Sequence, residues 1–224
     1  MKKETLKAKR TNSLYLPGLG TNGNKKLVNN EHTSFYTWNI PAIETCPYAT
    51  KHCINCCYAI KAERAYPTAR ANRNRNYIDS LSDDFTKRMV YTLETEINSK
   101  RDINKQIIVR IHESGDFYNQ EYYKSWVEIA NHFKSETRIK FIAYTKSVKF
   151  LVGIEKPENL IIRYSIWDDT SEQDIELAKI LDLPIYTAVD NFNTWSGAKC
   201  RCKDCATCGM CWNSNIKKIA CEIH

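Results

Sequence analysis

Between residues 34 and 190, short apolar segments alternate with longer amphipathic ones. An aromatic segment, 34–40, is bounded by Pro41 and predicts the first strand. Four later segments rich in β-branched and aromatic residues predict further strands: 106–111, 138–144, 160–167 and 184–189.

Segments with helical spacing lie between these strands. Phe85, Met89, Leu93 and Ile97 recur every four residues and give one apolar face, and we expect Ser82 to cap that helix. The other predicted helices are 58–65, which Pro67 interrupts, 119–133 with Asn119 as cap, the short 147–151, and 170–181 with a capping box of Thr170 and Gln173.

This alternation predicts right-handed βαβ units and a parallel sheet, so the fold class is α/β. About five strands are too few for a closed eight-stranded barrel, which leaves a partial (β/α) barrel or an open sheet, with functional groups at the carboxyl ends of the strands. The expected organisation is a basic arm at 1–33, the partial barrel with a cluster-binding loop at 34–190, and a cysteine-rich metal-binding segment at 191–224.

Composition favours a folded cytoplasmic protein. The 224 residues are 42% hydrophobic and 26% charged, which supplies a core and excludes global disorder. No apolar run approaches the roughly 18 residues of a membrane-spanning helix. The basic residues 1–10 lead into a polar sequence rather than a signal segment, so we expect no membrane partner.

The ten cysteines form two groups, with none in residues 58–199. Closely spaced cysteines without an export signal favour metal ligands over disulfides. The first group contains Cys46, Cys53, Cys56 and Cys57, and the second contains Cys200, Cys202, Cys205, Cys208, Cys211 and Cys221.

Neighbouring side chains diverge, so the first group offers Cys46, Cys53 and only one of Cys56 and Cys57, with Cys57 preferred. Three thiolates with an open position favour a [4Fe–4S] cluster whose remaining iron binds a small molecule. The alternatives are a zinc site completed by His52, or a fourth thiolate from the second group.

In the second group the repeated two-residue spacing is typical of both ferredoxin-like clusters and zinc sites, so the choice of metal stays open. We expect the ligands to be Cys202, Cys205, Cys208 and Cys211, with Cys200 and Cys221 in reserve.

A polar sequence follows the strand at 106–111. His112, Glu113 and Asp116 are candidate catalytic groups for moving protons or binding an amino group, and Gly115 allows a backbone to approach a ligand. The alternative is a βα turn in which Asp116 makes turn hydrogen bonds. Candidates near later strand ends are Arg163, Ser165 and Asp190.

Basic residues also cluster after the first cysteine group, with Tyr66 and Tyr77 nearby. Such a cluster either binds a nucleic-acid backbone or forms a solvated helix face. The residues concerned are Arg64, Arg70, Arg73 and Arg75, in a chain of net charge +7.

Three motifs resemble the phage and prophage "gene product 88" family, over roughly residues 34–213. This resemblance implies a mobile-element protein in the host cell cytoplasm. The motifs are Cys46-Pro47-Tyr48-Ala49 with Cys53 and Cys57-Tyr58-Ala59, then Arg110-x-His112-x-Ser114-Gly115-Asp116-Phe117-Tyr118, then Cys205-x2-Cys208-x2-Cys211-Trp212.

The architecture also resembles, more distantly, that of radical S-adenosylmethionine (SAM) enzymes. These are partial barrels with a three-cysteine loop after the first strand and a Gly-rich acidic motif after the second. The resemblance implies that the Ser114-Gly115-Asp116 motif holds the amino group of a cofactor, SAM, beside the cluster. Arg163 and Ser165, from their place near a later strand end, are further candidates for cofactor binding. The usual C-x3-C-x2-C spacing of radical SAM enzymes is replaced here by x6 and then x3.

The sequence thus predicts a phage-type iron–sulfur protein with one or two [4Fe–4S] clusters, or zinc at the second site, and SAM as a candidate ligand. Whether it is an enzyme stays open. The alternatives are a metal-stabilised nucleic-acid-binding protein without catalysis and a two-cluster electron-transfer protein.

Overall fold

Seven strands make up the single sheet of the protein, seen in a computed structural model that describes residues 6–20 and 24–222. Residues 1–5, 21–23 and 223–224 of the predicted arm and tail lie outside the described residues. The strands are β1 (Thr33–Trp38), β2 (Gln106–Ile111), β3 (Ile139–Thr145), β4 (Leu160–Ile166), β5 (Ile185–Val189), β6 (Ala198–Lys199) and β7 (Lys218–Glu222).

All neighbouring strands pair in parallel, in the order β1-β2-β3-β4-β5-β7-β6, and the sheet curls into a half-barrel. The predicted α/β class, parallel sheet and partial barrel are confirmed. One antiparallel bridge, between Gly20 and Thr37, attaches the N-terminal segment to β1.

Among the described helices, those at Phe85–Ile97 and Gln120–His132 cover one face of this sheet, and two short C-terminal helices pack on the other. None of the described helices is long and apolar enough to cross a bilayer. The α-helices are α1 (Leu6–Arg10), α2 (Lys51–Asn55), α3 (Tyr58–Ala65), α4 (Pro67–Ser80), α5 (Phe85–Ile97), α6 (Gln120–His132), α7 (Glu172–Ile180) and α8 (Cys205–Cys208), and short 3₁₀ helices occupy Val148–Leu151, Phe192–Thr194 and Met210–Trp212.

The sheet has a core on each face because successive strand side chains point to opposite sides. On the helical face, Val109 and Phe141 pack with Trp126 of α6 and Met89 of α5. On the other, inner face, four apolar strand residues pack against Trp212 of the C-terminal segment. These four residues, which define the inner face, are Phe35, Ile108, Ile142 and Ile161.

The predicted strand count was too low. The polar, cysteine-rich residues after Asp190 show no strand pattern, yet β6 and β7 extend the sheet there. β7 pairs with both β5 and β6, so its pairing partners, and not its own sequence, make it a strand.

Two predicted helix starts were wrong and one was right. Ser82 lies outside α5, whose cap is Asp84, and Ser171 replaces Thr170 as the cap of α7 by accepting from Asp174 N. Asn119 caps α6 as predicted, since its side chain accepts from Tyr122 N at 2.8 Å.

Candidate functional site

The first cysteine group lies in the loop after β1 and is fastened to the loop after β2. Asn39 Oδ1 accepts hydrogen bonds from Glu113 N at 2.7 Å and from Ser114 N at 3.2 Å. Ile40 N donates to Ser114 O at 3.1 Å. These contacts hold two strand-end loops together at the carboxyl edge of the sheet.

Three thiols of this loop share one electrostatic environment. Burial raises the pKa of Cys46 to about 12, with further contributions from Asp116, Cys53 and Cys57. Burial also raises the pKa of Cys53, and Cys57 acts in the same direction. Cys56 is not among the main influences on either thiol. We refer to Cys46, Cys53 and Cys57 as the thiol triad.

Lys146 lies beside the thiol triad, and the sequence analysis did not single it out. Its Nζ donates to Ser165 Oγ at 2.8 Å and also hydrogen-bonds the Cys53 thiol. It lies 5.5 Å from the centre of the Trp167 ring. Burial lowers the pKa of Lys146, while Cys53, Asp116 and Cys46 oppose that shift. The one sequence feature that could have indicated Lys146 is its position just after the strand predicted at 138–144.

Asp116 is buried next to these groups and holds the loops in place. Its carboxylate accepts from Thr145 Oγ1 at 2.6 Å, from Phe117 N at 2.7 Å and from Lys146 N at 2.8 Å. Burial raises the pKa of Asp116, and the three hydrogen bonds oppose the shift. Asp116 therefore links the end of β3 to the loop after β2.

Ser114 and Gly115 are also engaged within the protein. Ser114 Oγ donates to Ile40 O at 2.9 Å. Gly115 has a φ of +85°, and a Cβ there would lie 2.3 Å from the Ile40 side chain. The Ser114 hydroxyl therefore joins the two loops, and the close packing of Ile40 explains why position 115 is a glycine.

His112 and Glu113 diverge from each other. His112 is 3% exposed, its Nε2 lies 2.9 Å from Tyr122 Oη, and its ring packs on Phe117. Burial, assisted by the nearby charge of Arg110, lowers the pKa of His112 to about 3. Glu113 Oε1 is buried and has no hydrogen-bond partner among the described residues.

A pocket of about 320 Å³ opens at the ends of β4 and β5, next to α2. His52 and Trp167 line it, their ring centres are 4.8 Å apart, and His52 Nδ1 lies 2.6 Å from Asp168 Oδ1. Asp190 lines it as well. The structure thus turns His52 towards Asp168 and this pocket.

The second cysteine group gathers against the inner face of the sheet. Cys205 has its pKa raised to about 12 by burial and then by Cys211, Cys200 and Cys208. Burial raises the pKa of Cys208 to about 11, and a hydrogen bond with the Cys202 thiol acts in the same direction. We refer to these five cysteines as the C-terminal thiol group. Cys221 lies on β7 beside Tyr186.

Arg163 is fully buried in β4 and holds this segment to the sheet. Its guanidinium donates to four backbone carbonyl oxygens at 2.7–3.0 Å. The acceptors are the carbonyls of Cys211, Ile216, Met210 and Asn213.

Arg110 lies near the end of β2, and its charge reaches side chains of two different segments. Its guanidinium stacks 3.8 Å from the centre of the Tyr144 ring, and its Nε donates to His112 O at 3.1 Å. Its charge acts on Cys205 of the C-terminal thiol group and on Tyr58, which follows Cys57.

The ten cysteines supply the thiol donors that both zinc sites and iron–sulfur clusters use. All ten cysteines are free thiols. Within the described ranges, no three His, Cys, Asp or Glu side chains converge as closely as one metal ion requires.

The basic residues predicted to bind nucleic acid divide into two kinds. Arg64, Arg70 and Arg75 are exposed. Arg73 turns inward, since its Nη1 lies 2.8 Å from Glu63 Oε1 and 3.0 Å from Ala59 O. Arg73 therefore serves the packing of α3 on α4, and its inclusion among exposed phosphate-binding residues was wrong.

A family model described as "Gene product 88" matches residues 17–214. The chain belongs to the gene product 88 family. The predicted resemblance to this phage family is confirmed, and the match spans the thiol triad, Lys146, Asp116 and the C-terminal thiol group. Radical SAM character receives no support from these comparisons.

The gene product 88 match is accompanied by similarity to one curated protein. The "Gene 88 protein" of Mycobacterium phage D29 is 25% identical over 143 residues. That alignment covers 62% of this chain and 57% of the phage protein, so the chain spans less than two thirds of that relative's length. No solved structure matches the chain.

Proposed function

We propose that this gene product 88 protein is an iron–sulfur protein whose thiol triad binds a [4Fe–4S] cluster. The supporting observation is that Cys53 and Cys57 lie close enough to Cys46, and Cys57 to Cys53, for their charges to act on one another at the carboxyl edge of the sheet. Three thiolates leave one iron without a protein ligand. When bound, a cluster of this kind supplies that iron as a coordination site and an electron for a small molecule.

The neighbouring side chains suit a centre of that charge. Lys146, oriented by Ser165, places an ammonium beside Cys53, and this positive charge stabilises thiolates and a reduced cluster. Asp116 fixes the backbone of Lys146 through its 2.8 Å hydrogen bond. The pocket beside His52 and Trp167 gives a small molecule a place to enter from the strand ends.

The C-terminal thiol group is proposed as a second metal centre, with four of its five cysteines as ligands. Its donors suit either a cluster or zinc. Such a centre ties a mostly polar segment to the inner face. Thiolates of this kind persist under reducing conditions, which is consistent with the host cytoplasm.

The deciding experiment is anaerobic purification of the full chain followed by iron, sulfide and zinc analysis. We expect a brown protein with about four iron and four sulfide per cluster. The variant Cys57→Ser should lose the iron and sulfide of one cluster. The variant Cys56→Ser, at the adjacent position, should keep the wild-type iron content. A colourless, iron-free wild-type protein, or equal losses in the two variants, would contradict the proposal.

A second experiment tests which small molecule binds the iron that has no protein ligand. SAM added to the dithionite-reduced protein should change the electron paramagnetic resonance spectrum of the cluster if SAM is the small molecule. An unchanged spectrum in a protein that contains the cluster would exclude SAM as the ligand.

A further inference from the structure

The surface formed by α2, α3 and α4 carries much of the positive charge of the protein. Residues 51–80 contain six basic residues and two acidic ones, a net charge of +4 in a chain whose total is +7. The structure determines which of these charges face solvent.

Both acidic residues of this segment are engaged internally. Glu63 is 8% exposed and pairs with Arg73 at 2.8 Å, and Asp79 pairs with Arg88 at 2.9 Å. As a result, no acidic side chain of residues 51–80 offsets the outward basic residues by an ion pair. Five side chains remain exposed and form no ion pair with any described residue, and we call them the basic surface: Lys51, Lys61, Arg64, Arg70 and Arg75.

Two large aromatic side chains accompany these charges. Tyr66, at the junction of α3 and α4, is 64% exposed, and Tyr58, at the start of α3, is 60% exposed. Unpaired cations next to exposed aromatic rings are the combination that binds single-stranded nucleic acid, since the cations hold phosphates while the rings stack on bases. An acidic protein partner would account for the cations but not for the rings.

We propose that the basic surface, with Tyr58 and Tyr66, binds single-stranded nucleic acid. Because Cys57 is the residue immediately before α3, a strand bound there lies next to the thiol triad. The proposal goes beyond the iron–sulfur function and does not depend on it, because these side chains are in place without a bound metal.

The test is fluorescence anisotropy of a labelled, mixed-sequence single-stranded oligonucleotide with the full chain, over a salt series. The triple variant Arg64→Glu, Arg70→Glu and Arg75→Glu should bind at least tenfold more weakly than wild type. The slope of log K against log salt is negative, and each lost phosphate contact reduces its magnitude by about 0.7. The slope of the triple variant should therefore be less steep by about 2.

The matched control changes charge equally at the opposite edge of the sheet. Lys100, Lys134 and Lys156 are exposed and lie in the loops that precede β2, β3 and β4. Replacing all three by Glu should change the affinity less than threefold. If both triple variants lose affinity equally, the binding is a general effect of net charge and the proposal fails.

Stacking is tested separately with Tyr66→Ala, which keeps every charge. We expect at least a fivefold loss for single strands. Circular dichroism spectra matching wild type would show that each variant is folded. An oligonucleotide that does not bind at low salt, a duplex that binds as tightly as the single strand, or an unchanged affinity of Tyr66→Ala would overturn the proposal.

Discussion

At the residue scale, buried polar side chains hold the loops of this protein in register. Arg163 satisfies four carbonyl oxygens of the C-terminal segment, and Asp116 joins the end of β3 to the loop after β2. Buried charged groups persist when hydrogen bonds satisfy them, as both of these are. The sequence analysis named both residues as candidates for function, and the structure shows that each also joins two segments of the chain.

His112 makes stability depend on pH. Its pKa is lowered by burial to about 3, whereas an unfolded histidine titrates near 6.5. Between these values the unfolded chain binds a proton that the folded protein does not, so stability is lost as pH falls from 6.5 towards 3. The loss is at most about 1.4 kcal/mol per pH unit.

Urea denaturation at pH 7, 6 and 5 measures this dependence. His112→Asn tolerates the positive φ of +63° and removes the titrating group, so its free energy of unfolding should fall less steeply with acid. The exposed His32→Asn is the control and should keep the wild-type slope. Equal slopes for wild type and His112→Asn would show that His112 is not the group responsible.

At the element scale, helix boundaries follow backbone geometry more closely than residue type. Pro67 interrupts the predicted helix at 58–65 but also begins α4, because a proline at the first helical position needs no N–H donor. Ser82 and Thr170 are good capping residues in type, yet neighbouring residues hold the cap positions.

The contribution of the α6 cap, Asn119, to the free energy of unfolding can be measured by substitution. Asn119→Ala removes the acceptor for Tyr122 N and should lower the free energy of unfolding by about 1 kcal/mol. Ser82→Ala is the matched control. Its hydroxyl bonds only the exposed Asp84 side chain, so the change should stay within about 0.5 kcal/mol. Equal losses measured by urea denaturation would contradict this assignment of caps.

At the scale of the whole molecule, the C-terminal segment completes the half-barrel. Trp212 covers Phe35 in an edge-on contact with ring centres 5.6 Å apart, and β7 pairs with β5. The segment brings the C-terminal thiol group onto the inner face, so the metal centre proposed there would be coupled to closure of the core.

Ending the chain after Asp190 should therefore expose the inner face. We expect increased binding of a hydrophobic dye and association on gel filtration, because four large apolar side chains lose their cover. Trp212→Ala in the full chain is the milder variant and should cost about 3–5 kcal/mol of stability. A monomeric truncated protein with wild-type dye binding would show that the segment is dispensable.

Much of the sheet was predictable because β1 to β5 have strongly apolar sequences with helical segments between them. The choice of Cys46, Cys53 and Cys57 as one ligand set also came from spacing, and it stays a prediction. Lys146 was missed because a single lysine after a strand carries no motif, and its importance depends on Ser165 and Cys53, which are distant in sequence.

The sequence by itself determined the α/β class, the family and the separation of cysteines into two groups, because these depend on local pattern and spacing. Only the tertiary structure decided that Arg163 holds the C-terminal segment, that Arg73 faces inward and that Lys146 meets Cys53. Each of these depends on which side chains long-range strand pairing brings together, and a one-residue change of register turns a strand side chain to the opposite face.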